Sequence, residues 1–190
     1  MTAAASGGDP GIAREVHPGP EPGMLLVHAT GFCKELWRPV VTELRSLGVA
    51  NRVVAVDQRG HGDSPPPPRP VDWWDLGRDA LAVMAGDGGA FGLGVGHSSG
   101  GAALAMAEVL APGTFAALVL IEPVIFPPPF RRDPGSEMAE AARRRKRGFA
   151  SPAEARANYL GRGPFARWTE TAVDLYVAHG MRAEGDSWVL

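Results

Sequence analysis

Phe91-Gly92-Leu93-Gly94-Val95-Gly96-His97-Ser98-Ser99-Gly100-Gly101 is the stretch whose reading decides the fold. A short apolar run enters Gly-x-Ser-x-Gly, and the small residues Ala102-Ala103-Leu104-Ala105-Met106-Ala107 follow at once. The pattern predicts a strand, a tight turn and a helix, with Ser98 at the apex of the turn. A serine there sits in a strained backbone conformation that lifts its hydroxyl clear of the sheet edge. Gly96 and Gly100 are required because no Cβ fits where strand and helix nearly touch. The N–H of Ser99 opens the helix and can point at an oxyanion, with the helix dipole behind it. Ser98 is thus the candidate nucleophile. The competing reading is an ordinary glycine-rich turn, in a chain that holds 25 glycines.

Outward from this stretch, the chain alternates strands and helices. Met24–His28 is an apolar run that reads as a buried parallel strand, ending in the loop Ala29-Thr30-Gly31-Phe32. Trp37, Val40, Val41, Leu44 and Leu47 then recur at helical spacing, with Gly48 as the stop. Arg52–Asp57 is a second buried strand, followed by Asp57-Gln58-Arg59-Gly60-His61-Gly62-Asp63-Ser64 and four prolines. Asp72 is placed to cap a helix running through Met84. After Ser98, the helix stops at Pro112-Gly113, and Ala117–Glu122 is a fourth strand ended by Pro123. This β-α-β alternation predicts an α/β fold, a parallel sheet flanked by helices. From Phe126 three prolines lead into short helices at about 136–149, 152–160 and 169–181. Residues 1–23, rich in Gly, Pro and Ala, read as a flexible segment with at most one short strand near Ala13–Val16.

Composition narrows the function classes. The chain has 190 residues, 45% of them hydrophobic and 21% charged, as in one ordinary globular domain with room for a core. A net charge of −2 supplies no positive field for a nucleic acid. The basic run Arg143–Arg147 reads as a solvated helix face, since no aromatics interleave it. No apolar run is long enough to span a bilayer, and the start of the chain lacks signal-peptide character. One cysteine, Cys33, leaves no internal disulfide, which allows a reducing cytoplasm. Neither His-x-x-x-His nor a cysteine cluster suggests a metal. Gly92-Leu93-Gly94-Val95-Gly96 lacks the spacing and the downstream acid of a dinucleotide site, so no cofactor is expected.

Taken in order, three motifs resemble those of the α/β-hydrolase superfamily, over roughly residues 24–190. His28-Ala29-Thr30-Gly31-Phe32 resembles the His-Gly-x-Pro oxyanion loop, with Ala29 where that family usually has Gly. Asp57–Ser64 is similar to its Asp-x-Arg-Gly-x-Gly-x-Ser loop, and the Ser98 turn to its nucleophile elbow. The resemblance implies Ser98 as nucleophile and the amides of Thr30 and Ser99 as the oxyanion hole, Phe32 being the alternative to Thr30. It implies a core over 24–126 and a helical cap over 127–190. Serine at the nucleophile position points to a small ester, lactone or related carbonyl substrate. Glu122, at the end of the Ala117–Ile121 strand, resembles the triad acid of some capped branches. The other reading of Glu122 is a carboxylate bonded to loop amides or exposed at the strand tip.

The resemblance also calls for a base histidine late in the chain. His17, His28, His61, His97 and His179 each read better as loop, turn or packing residues. The chain is therefore expected to be the N-terminal portion of such an enzyme, impaired in turnover, with the last strands absent. Ala117–Ile121 is then an apolar sheet edge open to self-association. The alternative is a non-catalytic module that binds a ligand or completes its sheet with another chain.

Overall fold

A computed structural model of the chain describes residues 11–67, 72–126, 140, 144, 146 and 148–190. They fall into two compact units, residues 1–124 and 125–190.

The first unit is built on five strands: β1 (Arg14–His17), β2 (Gly23–Val27), β3 (Val53–Val56), β4 (Phe91–His97) and β5 (Ala117–Ile121). They lie in the order β1-β3-β2-β4-β5. β2, β3, β4 and β5 run parallel, and β1 pairs antiparallel along β3. β1 falls in the stretch read as loose, on its one expected strand.

β2 and β3 are buried on both faces, and their alternate residues go to different layers. Leu25, Val27, Val54 and Val56 pack with Ala80, Val83, Ala103 and Leu104 from α2 (Trp74–Asp87) and α3 (Ser99–Leu110). Met24, Leu26, Val53 and Ala55 pack on the other side with Trp37 and Val41, where α1 (Arg38–Ser46) lies. This two-residue alternation is the pleat itself, and it explains why the runs read as uninterrupted apolar segments. Val40 and Leu47, expected to face inward, are 41% and 70% exposed, so α1 buries a narrower stripe than its periodicity suggests. Asp72 caps α2 one residue further out than expected, its carboxylate accepting the Trp74 N–H at 3.0 Å. α2 also runs past Met84 to Asp87 and stops on Gly88, at a φ of 71°.

The chain leaves β2 toward β3 on one side, then crosses to β4 on the other. The C-terminal ends of β2 and β4 therefore flank a reversal of strand order, the place where open α/β sheets form a crevice. The 28–34 loop and Ser98 sit there. β5 closes the order of the sheet, pairs on one side among the described residues, and leaves Val119 and Ile121 more than 40% exposed.

The second unit holds α4 (Pro152–Tyr159) and α5 (Glu170–Gly180), each opened by a side-chain cap. Ser151 accepts the Glu154 N–H and Thr169 accepts the Ala172 N–H. Phe149, Tyr159, Phe165, Trp168 and Tyr176 form one aromatic core, with ring centroids 4.6–5.6 Å apart. A small antiparallel sheet, β6 (Gly148–Phe149), β8 (Ser187–Val189) and β7 (Arg182–Glu184) in that order, completes the unit. The all-helical reading of 127–190 missed these strands, which are only two or three residues long. Most of the helix expected over 136–149 lies outside the described residues, and its last two residues are β6. Of the basic run, Arg144 pairs with Glu140 and Lys146 with Glu154, as a solvated face would.

Candidate active site

Ser98 has φ 53° and ψ −115°, one of two non-glycine residues at positive φ among the described residues. Such a conformation costs about 1–3 kcal/mol and survives only where the surroundings over-determine it. Here they do. The Ser98 N–H donates to the Ile121 carbonyl at 2.9 Å, while its own carbonyl accepts from Val124 at 3.1 Å and from Ala102 at 3.2 Å. The end of β5 thus grips both sides of the strained residue.

The glycines of the turn are there for space. A Cβ on Gly96 would lie 2.5 Å from the Gly100 carbonyl oxygen, and one on Gly100 would lie 2.2 Å from that of Val27. The helix N-terminus is therefore pressed against the end of β2, side by side with the loop that follows it. Gly101, packed against Pro123, belongs to the same constraint.

That loop carries the second half of the candidate oxyanion hole. The Phe32 N–H is already committed to the Ala29 carbonyl at 3.1 Å. The amides of Thr30 and Ser99 make no hydrogen bond among the described residues. Between the two donors weighed from the sequence, Thr30 is thus the one with a hydrogen to offer. Ala29 is buried and has no left-handed φ, so its methyl group brings no backbone strain in place of glycine.

His28 is a structural residue. Its Nδ1 donates to the Ala29 carbonyl at 2.7 Å, and its Nε2 accepts the Gln58 N–H at 3.0 Å, which fixes a neutral tautomer. Burial, with the His61, Lys34 and His97 charges adding to it, holds its pKa down at about 3 against the partial opposition of the Ala29 bond.

The Asp57–Ser64 loop is the buttress behind this arrangement. The fully buried Asp57 carboxylate accepts the Lys34 N–H at 2.7 Å, the Lys34 ammonium at 2.8 Å and the Asp63 N–H at 3.0 Å. Lys34 also meets Asp63 at 2.7 Å and Glu35 at 2.8 Å. Burial alone would pull its pKa down, but the bonds to Asp57, Asp63 and Glu35 outweigh that and push it up. Gly62, at φ 48°, comes so close that a Cβ would strike the Asp57 carboxylate. The Ser64 hydroxyl donates to the Asp57 carbonyl and accepts from Ala13. Arg59 grips Asp79 of α2 through two bonds of 2.6 Å.

Glu122 is the other non-glycine residue at positive φ among the described residues, at 44°, and its side chain is exposed. It sits in the short turn between Ile121 and Val124, the two residues that clamp Ser98. A carboxylate that reaches solvent pays no desolvation cost that would require a partner. The structure joins Glu122 to the elbow through the backbone; the described residues place no histidine on its carboxylate.

No hydrogen bond among the described residues reaches the Ser98 hydroxyl. His17 lies 3.5 Å from Glu15, His61 contacts the Arg59 carbonyl through Nδ1 at 3.1 Å, and the His97 ring rests 5.8 Å from that of Phe32. His179 is on α5 of the second unit. No group of His, Cys, Asp and Glu among the described residues is arranged to hold a metal, and no described helix is long and apolar enough to cross a membrane. Lys34 and Gln58 escaped the sequence reading, because nothing local marks a lysine or glutamine whose partners lie 23 to 41 residues away.

The sequence model of the Alpha/beta hydrolase family matches residues 24–188. Peroxisomal membrane protein LPX1 of Saccharomyces cerevisiae is 30% identical over 118 residues, which is 54% of this chain and 30% of that one. Among solved structures, the peroxisomal alpha-beta-hydrolase Lpx1 from the same yeast matches with TM-score 0.73 at 21% identity, over 94% of this chain and 56% of its own. E-2-(Acetamidomethylene)succinate hydrolase matches with TM-score 0.78 at 22% identity, over 95% of this chain and 65% of its own. The esterase Rv0045c from Mycobacterium tuberculosis gives TM-score 0.62 at 20% identity, over 99% and 60%. The chain thus spans less than two thirds of the length of each of these proteins, and at such identities the solved structures speak for the fold alone.

Proposed function

The chain belongs to the alpha/beta hydrolase family, and on that premise we propose that it carries the acylation half-site of a serine hydrolase. The Ser98 Oγ attacks the carbonyl carbon of a small ester, lactone or related compound. The carbonyl oxygen becomes an oxyanion between the Thr30 and Ser99 N–H groups. The alcohol leaves, and water then hydrolyses the acyl-serine. The proton of the hydroxyl needs a histidine base, for which Glu122 is the candidate orienting carboxylate. No histidine among the described residues bonds to Ser98, so turnover by this chain is expected to be impaired. One observation carries this reading: a serine held at φ 53° between a strand and a helix, beside two backbone amides with no partner among the described residues. The buried single cysteine suits a reducing cytoplasm.

The test is labelling with a fluorophosphonate at neutral pH, read by mass on the peptide that contains Ser98. A slow Ser98-linked adduct that Ser98→Ala abolishes is expected, and strong labelling would show that a base is present after all. An unlabelled wild-type chain overturns the reading.

A second reading has its own observation. Among the described residues β5 pairs on one side only and leaves Val119 and Ile121 exposed, which suits pairing with another strand. On that reading the chain is a sheet-pairing module. It predicts a monodisperse dimer whose β5 amides are protected from hydrogen exchange, and a monomer rejects it.

A further inference from the structure

We infer that Gln58 is a positioning residue that joins the two sides of the oxyanion site, a role that rests on the serine-hydrolase reading above. Its side-chain nitrogen donates to the His28 carbonyl and, at 2.9 Å, to the Ser99 hydroxyl. A carbonyl oxygen only accepts, so the nitrogen of the carboxamide must be the end that faces His28. Both its hydrogens are then used, one on each side of the crevice.

The two acceptors are not arbitrary. His28 ends β2 and leads two residues later to the free amide of Thr30. Ser99 bears the other free amide on the same residue whose hydroxyl Gln58 holds. Oxyanion stabilisation depends on donors placed in advance at the right separation, because donors that must reorganise lose their advantage. Within each segment, local geometry sets the direction of one amide. The β2–β4 ladder and the close packing of Gly100 on Val27 bring the two segments together, and Gln58 adds a side-chain link that holds one against the other. It is itself immobilised. It is buried, its N–H is bonded to His28 Nε2, and it directly follows Asp57, the fixed centre of the ion pairs with Lys34.

The helix-side contact has a further consequence. The Ser99 hydroxyl, held as an acceptor, is kept away from its own helix N-terminus, where a serine oxygen competes for free amides. The donor of Ser99 thus stays available to substrate.

The test uses Gln58→Met, which keeps the shape and removes both donors, and Gln58→Glu, which turns a carboxylate oxygen toward the His28 carbonyl. Residue-resolved hydrogen exchange on the full chain is the first readout. The bonded amides of Phe32 and Ala102 are expected to exchange about 10-fold faster in both variants, with α2 unchanged, as for loss of a local link. Uniform acceleration including α2, or no change at Phe32 and Ala102, overturns the inference.

The second readout is the rate of fluorophosphonate labelling at Ser98. It is expected to fall about 10- to 100-fold in Gln58→Met and further in Gln58→Glu, with half-saturating probe concentration within about twofold, as for a misplaced oxyanion donor. Ser99→Ala keeps the amide and removes the hydroxyl. Combined with Gln58→Met, it should slow labelling no more than the larger single change. Equal labelling of wild type and Gln58→Met, or additive losses, rejects the role. If the wild type itself is unlabelled, the hydrolase reading fails, and the exchange data still decide whether Gln58 links the two loops.

Discussion

The loops that follow β3 and β4 emerge side by side from the same sheet and treat their polar groups in opposite ways. After β3, every strong group of Asp57 is matched: its carboxylate by Lys34 and the Asp63 N–H, its carbonyl by Ser64, its N–H by the Ala13 carbonyl. After β4, Ser98 is strained, its hydroxyl has no bond among the described residues, and the Ser99 amide is free. A buried unpaired donor costs roughly 1–3 kcal/mol, and with Ser99 buried its amide can stay unpaired only if the walls around it are fixed by other means. The satisfied loop is that means. Stability is concentrated one strand away from where chemistry needs groups left over.

Breaking the satisfied loop should have the largest effect. Asp57→Ala takes one of two buried carboxylates from Lys34 and leaves the Lys34 and Asp63 N–H groups without their acceptor. It is expected to cost about 3 kcal/mol, read as a fall in the urea midpoint. A loss under about 1 kcal/mol means that the loop is not the buttress described. Acid acts on the same wall through His28. Its folded pKa is near 3 and its ordinary value is 6.5, so between these values only the unfolded chain takes up the proton. Stability from this residue is intact above pH 6.5 and falls on acidification by about 1.4 kcal/mol per pH unit. Denaturation between pH 6.5 and 5, where ordinary carboxylates stay ionised, isolates the slope. His28→Asn should flatten it, and an equal slope in both proteins removes His28 as its source.

The strained side should respond in the reverse sense. Ser98→Gly relieves the positive φ and is expected to raise stability by about 1 kcal/mol while abolishing fluorophosphonate labelling. A destabilised Ser98→Gly would show that the conformation carries no strain. The smallest effect belongs to Glu122. Glu122→Gly should stabilise by a few tenths to about 1 kcal/mol, because that residue too has φ > 0. Glu122→Gln separates backbone from carboxylate: unchanged stability with slower labelling supports the orienting role, and unchanged labelling removes it.

Much of this was legible in one dimension. The five strands, the elbow and the order of motifs follow from apolar runs and glycine spacing, which are local consequences of pleat and sterics. Gly96 and Gly100 could be assigned a reason before any coordinates, since strand-to-helix turns leave no room for a Cβ. The stubs of β6, β7 and β8 were not legible, because two or three residues carry no period. Two readings of Glu122 stay open in the sequence, an orienting acid and a carboxylate exposed at the strand tip, because exposure depends on what lies over a position and its own neighbours in sequence do not report that.

The chain by itself determined that Ser98 would stand at the crossing of β4 and α3, because backbone sterics act over a few residues. Only the tertiary structure decided that Gln58 would bridge His28 and Ser99, and that Lys34 would seal Asp57. Those bonds join residues 23 to 41 positions apart, and a distance across the fold has no trace in local pattern.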